Sequence, residues 1–482
     1  MKLSTKVAYN TIIQIISKII ATVLGLFSIR LMADYLGTEG FGQYTTVITF
    51  LSFFAILGDL GLTLITAQLI SQKNANEEKI LNNLFTLRLV SALIFLGLGP
   101  LTVFFFPYGD AITTGVMIAA LSYVFIALNQ VFTGLFQKHL RMDKVSIAEV
   151  AGRVILLAGI FLVYRMDYGL NGILLATVIA SAINFLIHFY FSRGLARFRF
   201  EIDRAVWKEI LIKSWPLALT ITFNLLYLKT DTIILSLVKS LDEVGVYGAA
   251  YKVIEVLVTL PFLFSGIILP ILVLARSDND KDKFGRVMQK SINVMAIFTF
   301  PMVFGTWLVS SDVMVLIASR EFLASGPILN ILIIAAGAIF LGNVFSHAVI
   351  AVDRQKKMIP AYIFTAITSI IGYLIFIPRY SYIGAAWVTV YSEIVIGIFS
   401  IYMVYKFSRF FPSLKVAAKA ALAAFLMFIA LYQFPGLNPG LKVASGALVY
   451  FILLFLFGGV TREDLSVFYS KELPTPITKD IN

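Results

Sequence analysis

The stretch YLGTEGFGQY, Tyr35 to Tyr44, is a short polar turn between two long apolar runs that together extend from Tyr9 to Gln68. Each run is long enough to cross a bilayer as a helix, which takes roughly 20 apolar residues. The same design returns from Trp215 to Leu274 around SLDEVGVYGAAYK, Ser240 to Lys252. When one hairpin is laid over the other, Gly42-Gln43-Tyr44 falls on Gly245-Val246-Tyr247. Further along, YGLNGILLATVIAS (Tyr168 to Ser181) and YSYIGAAWVTVYSE (Tyr380 to Glu393) share Tyr, Gly, Thr and Val at a similar offset. Both segments open the sixth span of a half. Because six is even, the two halves face the same way and form parallel repeats about an axis along the membrane normal.

Working outward from the hairpins, the whole chain reads as membrane protein. Its mean hydropathy is +0.90, with 59% hydrophobic and 14% charged residues over 482 positions. A soluble domain lacks the interior to hide that much apolar surface. The expected fold is all-α and polytopic, with about fourteen transmembrane helices at roughly 20 residues each. It divides into an N-terminal six-helix lobe (1–192), a basic linker (193–213), a C-terminal six-helix lobe (214–405), a terminal helix pair (406–460) and a cytoplasmic tail (461–482). The first span is too long for a cleavable signal sequence, and no small-residue cleavage motif follows it.

The charge supports the same topology. Of the 39 lysines and arginines, only Arg165, Lys239, Arg320, Arg379 and Lys442 fall in loops opposite the N-terminus, so both termini are expected in the cytoplasm. The basic excess is a topology signal rather than a nucleic-acid footprint, since no basic run interleaves with aromatics on one face. The linker is basic and carries Phe198, Phe200 and Trp207. It reads as an interfacial helix whose cations meet the phosphates of membrane lipids.

Enzyme chemistry finds no foothold. There is no cysteine, which excludes disulfides, thiolate metal sites and thiol nucleophiles. His139, His188 and His347 are far apart, so no metal site and no cofactor is expected. No Gly-Lys pair supplies a P-loop, and neither H-E-x-x-H nor G-x-S-x-G occurs. Asp278, Asp280 and Asp282 mimic the start of an EF-hand, but Lys283 and Gln289 stand where its glycine and last carboxylate belong.

Three segments carry a resemblance. NTIIQIISKIIATVLGLFSIRLMADYLGTEGFGQY (Asn10 to Tyr44) resembles the opening of the polysaccharide-biosynthesis or O-antigen flippase family. That Wzx-like family lies within the multidrug/oligosaccharidyl-lipid/polysaccharide exporter superfamily. TDTIILSLVKSLDEVGVYGAAYKVIE (Thr230 to Glu255) and IPRYSYIGAAWVTVYSE (Ile377 to Glu393) resemble its second-half and C-terminal hallmarks. The resemblance implies a flippase in the cytoplasmic membrane for oligosaccharide carried on a polyprenyl pyrophosphate. Polysaccharide polymerase machinery is a candidate partner, and H+ or Na+ is the expected coupling ion in the absence of a nucleotide site.

Charges inside apolar spans are costly in lipid and mark a protein interior or a wet cavity. The cations are Lys18, Arg30, Arg88, Arg153, Lys229 and Lys252, and such groups would offset the charge of a pyrophosphate crossing a low-dielectric region. Asp59, Asp231, Glu255 and Glu393 are the candidate ion-coupling carboxylates. The competing reading is local pairing, Glu149 with Arg153 and Lys252 with Glu255, and Arg30 is placed to snorkel. Pro216, Pro261 and Pro301 are expected to kink the first three spans of the second half. Alternative functions are a peptidoglycan lipid-precursor flippase, a multidrug antiporter of the same superfamily, and an integral-membrane glycosyltransferase or ligase. Lys18 and Arg30 on the first helix disfavour cationic cargo, and the short outer loops disfavour an enzyme.

Overall fold

A computed structural model describes residues 3–70, 76–278 and 280–460; the expected tail at 461–482 lies outside the described residues. Within them every regular element is a helix. The first half holds α1 (Leu3–Asp59), α2 (Leu62–Ile70), α3 (Glu77–Thr102), α4 (Asp110–Lys138), α5 (Met142–Met166) and α6 (Gly169–Ser192). The second holds α7 (Arg204–Val238), α8 (Leu241–Leu257), α9 (Thr259–Ser277), α10 (Lys281–Ile317), α11 (Ser325–Ala351) and α12 (Ile359–Ser408). α13 (Lys415–Tyr432) and α14 (Pro439–Leu456) complete it.

Twelve helical segments among the described residues are long and apolar enough to cross a membrane. Two of them, of 48 and 54 residues, would be about 70–80 Å long if straight, more than twice the thickness of a hydrocarbon core. Each is broken once. α1 breaks at Gly37 (φ 65, ψ −171), inside the polar turn that opened the reading, at a dihedral pair open to a residue without Cβ. α12 breaks at Ser381 (φ 50, ψ −138), whose hydroxyl donates to Glu243 Oε1 at 2.6 Å. Against the fourteen expected, the described residues hold twelve such segments, two of them broken internally.

The internal repeat is visible in the backbone. Laying Tyr168 on Tyr380 pairs Gly169 with Ser381, and both carry positive φ. The second helix of each hairpin is interrupted partway, at Leu60–Gly61 in one half and at Val258 in the other. The two hairpins also cross each other at equivalent glycines. A Cβ on Gly42 would fall 1.8 Å from the Leu241 carbonyl oxygen, and one on Gly245 would fall 1.9 Å from that of Thr38. Only glycine permits backbones this close. Around the crossing, Thr38 donates to Asp242 (2.5 Å) and Ser325 to the Val246 carbonyl (2.7 Å). Phe41 meets Phe322 edge to face. The largest core cluster lies here and draws on both halves, with Met32, Ala33 and Phe41 against Val244, Tyr247, Leu329 and Leu332. α13 and α14 pack on α10, where Tyr450 donates to the Ile297 carbonyl (2.7 Å).

One expectation is corrected. The linker is not helical until Arg204; residues 196–203 carry no helix. Its alternate N–H groups donate to side chains of α3 instead: Arg199 to Asn82 (3.0 Å), Glu201 to Thr86 (3.0 Å) and Asp203 to Asn83 (2.7 Å). Of the three prolines, only Pro261 stands beside an interruption, in the first turn of α9. α7 and α10 run on as continuous helices through Pro216 and Pro301. Asp280 of the acidic run caps α10 by accepting from the Lys283 N–H (2.8 Å).

Candidate functional site

α7 and α8 bring three charges together. Lys229 Nζ lies 2.6 Å from Glu255 Oε1, and Lys252 Nζ lies 2.8 Å from Glu255 Oε2. One carboxylate therefore holds two ammonium groups, and the trio carries a net positive charge. None is sealed off, with side chains 24%, 25% and 36% exposed for Lys229, Lys252 and Glu255. Lys229 also lies over the Tyr251 ring at 4.5 Å, and the Tyr251 hydroxyl donates to the Leu228 carbonyl (3.0 Å). The first half packs alongside, with α1 running against α8. Tyr44 on α1 is within electrostatic reach of both Arg153 on α5 and Glu255 on α8, and Tyr123 on α4 is within reach of Tyr44 and Glu255. Arg153 is exposed. Its expected pairing with Glu149 does not form, whereas that of Lys252 with Glu255 does.

Depth can be read along each helix at 1.5 Å per residue from the end that holds the glycine crossing. Lys229 lies about 14 Å in, Lys252 about 16 Å, Arg153 about 20 Å and Glu255 about 21 Å. All four therefore lie about 14–21 Å from that end, within the length of a membrane span of about 30 Å. Lys18 lies deeper, about 27 Å from the same end. It is exposed and has no ion-pair partner among the described residues. It shares a face of α1 with Thr22 and Gly25. The exposed apolar residues Ile12, Ile16, Ile19, Val23 and Phe27 occupy a different face.

The remaining candidates are placed elsewhere. Arg30 does not snorkel and is not part of the cationic group. Its Nη1 donates to the Val315 and Ala318 carbonyls (2.6 and 2.8 Å), capping α10 across the two halves where unsatisfied carbonyls attract a cation. Arg88 is 2% exposed and lies inside the first half. It is bonded to Asp59, to Thr63 Oγ1 (2.6 Å) and to the Ala127 carbonyl (2.9 Å). Arg88 and Asp59 thus pair inside the first half, with Arg88 Nη1 left without a hydrogen-bond partner. Asp231 is fully buried and accepts from Tyr247 (2.5 Å) and the Thr232 N–H (2.5 Å). Glu393 is 8% exposed; its Oε1 is enclosed without a hydrogen-bond partner, as are the hydroxyls of Thr365 and Ser369. His188 and His347 each bond the carbonyl four residues back. Tyr44, Tyr123 and Tyr251 were missed by a reading built on charge. The available signal was that Tyr44 and Tyr251 flank the two glycine turns.

Helix pattern and intramembrane charges define a multi-pass membrane protein with a transporter fold. The structure superposes on that reported as lipid II flippase MurJ, inward closed conformation, with a TM-score of 0.78 at 16% identity, covering 94% of this chain and 99% of that one. A multidrug resistance MATE family transporter of the MOP superfamily, inward-facing, matches with a TM-score of 0.62 at 16% identity, covering 88% of this chain and 99% of that one. The chain belongs to the family described as Polysaccharide biosynthesis protein, which matches residues 7–275. It is 24% identical over 356 residues to lipopolysaccharide biosynthesis protein WzxC of Escherichia coli (strain K12), covering 70% of this chain and 68% of WzxC. It is 22% identical over 307 residues to capsular polysaccharide biosynthesis protein CapF of Staphylococcus aureus, covering 63% of this chain and 77% of CapF.

Proposed function

We propose that this chain is a flippase that carries a polyprenyl-pyrophosphate-linked oligosaccharide, the repeat unit of a surface polysaccharide, across the cytoplasmic membrane. The single observation that carries the reading is the pair of lysines, Lys229 and Lys252, held by the one carboxylate of Glu255 inside apolar helices. An uncompensated charge there is expensive, so a site built this way is suited to an anion that comes and goes. The names of the relatives in polysaccharide biosynthesis support a glycan cargo.

In this reading residues 1–192 and 214–405 are two lobes that rock about the 193–213 linker, with 406–460 as an accessory pair and both termini in the cytoplasm. The glycine crossing closes the outer end, and Lys18 lines the inner approach. The pyrophosphate displaces Glu255 from the two lysines while the lipid tail stays in the bilayer. Asp231, buried and hydrogen-bonded, and Glu393, buried with Oε1 unpartnered, are where a coupling H+ or Na+ is taken up. Asp59 leaves this set because Arg88 already holds it.

The test is flipping of a fluorescent lipid-linked oligosaccharide in vesicles containing the purified protein. Lys229→Ala, Lys252→Ala and Arg153→Ala are each expected to slow it at least tenfold, since a charge-assisted hydrogen bond contributes about 1.5–3 kcal/mol. Wild-type rates in all three would discard the reading. Collapsing a proton or a sodium gradient separately identifies the ion.

A further inference from the structure

The first turns of α7 form a shallow groove of about 480 Å³ lined by Arg204, Trp207, Lys208, Leu211, Ile212 and Trp215. Its residues are graded along the helix axis. Arg204 and Lys208, one helical turn apart, stand at the outer lip; Leu211, Ile212 and Trp215 follow toward the membrane span that begins by Ile221. Ile212 is 58% and Trp215 56% exposed, and on the adjoining linker Phe200 and Ile202 are exposed as well. The opposite face of the same turns is packed: Ile210 belongs to the first-half core with Phe132 and Phe136. Glu209, the acidic residue of this segment, is turned to another face, where it pairs with Lys213 (2.6 Å). The groove therefore presents cations at the level of the headgroups and apolar side chains directly beneath them.

We propose that this groove binds one acidic phospholipid, with its phosphate against Arg204 and Lys208 and the start of an acyl chain against Leu211, Ile212 and Trp215. The order of the side chains matches the order of a lipid, charge above and hydrocarbon below, and the sign matches an anion. A zwitterionic lipid would fit the apolar part but gain little from the two cations. The bound lipid pins the beginning of the helix that carries Lys229 and the end of the clasped linker. This site stands apart from the cargo site, and its test does not depend on transport.

The full-length protein is reconstituted in phosphatidylcholine vesicles. Phosphatidylglycerol or phosphatidylcholine, brominated close to the headgroup, is then added at equal mole fractions. The readout is the part of tryptophan quenching that Trp215→Phe removes. Each basic side chain near the headgroups favours an anionic lipid about fivefold, so phosphatidylglycerol should quench at a mole fraction about twenty-five times lower. Arg204→Gln with Lys208→Gln should abolish that preference. Lys281→Gln with Lys283→Gln, at the start of a different helix, should leave it intact, as should saturating inorganic phosphate. Equal quenching by the two lipids in the wild type, or a preference that survives loss of Arg204 and Lys208, overturns the proposal. So does a preference lost with Lys281 and Lys283 or displaced by phosphate, and so does shielding of Trp215 from both lipids that grows with protein density, which would assign the groove to a second copy of the chain.

Discussion

In the proposed function, Glu255 sits where two lysines would otherwise meet an anionic cargo, and its charge competes with that cargo directly. Replacing it by glutamine keeps the shape and removes the competitor. Glu255→Gln should therefore bind undecaprenyl pyrophosphate more tightly, at least tenfold in a direct titration, and release it more slowly, so that flipping falls while affinity rises. Arg88 and Asp59 behave differently because they are enclosed together. Removing either partner alone strands a buried charge and should cost about 3–5 kcal/mol, read as a lowered unfolding temperature. Arg88→Met combined with Asp59→Leu should recover most of that loss, and flipping per folded molecule should stay near wild type. The sequence disclosed which residues are charged within apolar text, and for Lys252 and Glu255 it disclosed the pair, since they share one helix. It did not disclose that Lys229 completes the trio or that Arg30 caps α10, because those contacts join helices far apart in the chain.

Among the elements, the linker is the instructive case. Its basic and aromatic composition suits an interfacial helix, yet the backbone before Arg204 is extended because α3 offers a better use for its N–H groups. Asn82, Asn83 and Thr86 accept from every second residue of the segment, and satisfied backbone donors outweigh a modest helical preference. The cluster of polar residues at the start of an otherwise apolar helix was the only trace of this in the sequence. Asn82→Ala with Asn83→Ala should release the segment, and trypsin should then cut at Arg197 and Arg199 several times faster than in the native protein. Lys79 adds a second hold, at 2.6 Å from Asp203. Its hydrogen bond holds the Asp203 carboxyl below the usual carboxylate range. A carboxyl whose folded value is depressed contributes stability above the ordinary value near pH 4 and loses it as pH falls through the lower folded value. The linker should stay docked at neutral pH and loosen in acid, seen as a shift in Trp207 emission below about pH 4.

For the molecule as a whole, the proposed movement of one half against the other parts the glycine crossing. The absence of cysteine makes this directly testable. Thr38→Cys with Asp242→Cys, oxidised across the crossing, should stop flipping, and reduction should restore it; full activity of the cross-linked protein would mean that this end never opens. Gly42→Val should prevent the close approach altogether, since its Cβ would overlap the Leu241 carbonyl, and should shift the population away from the closed arrangement. The repeated hairpin and the helical class were legible, because each is a one-dimensional pattern in the sequence. The count of continuous helices was not, since the breaks at Gly37 and Ser381 turn the chain without ending the helix on either side.

At that crossing, residue for residue, what the first half offers the second is what the second offers the first. Thr38 faces Gly245 as Leu241 faces Gly42. A surface that recognises its own copy is the hallmark of a symmetric homodimer, so the protein has the form of a dimer fused end to end, with the chain near Ala196 as the seam. Separate polypeptides cut at that seam and made in one cell should find each other through the same contact, and each would need the other's glycine as much as its own.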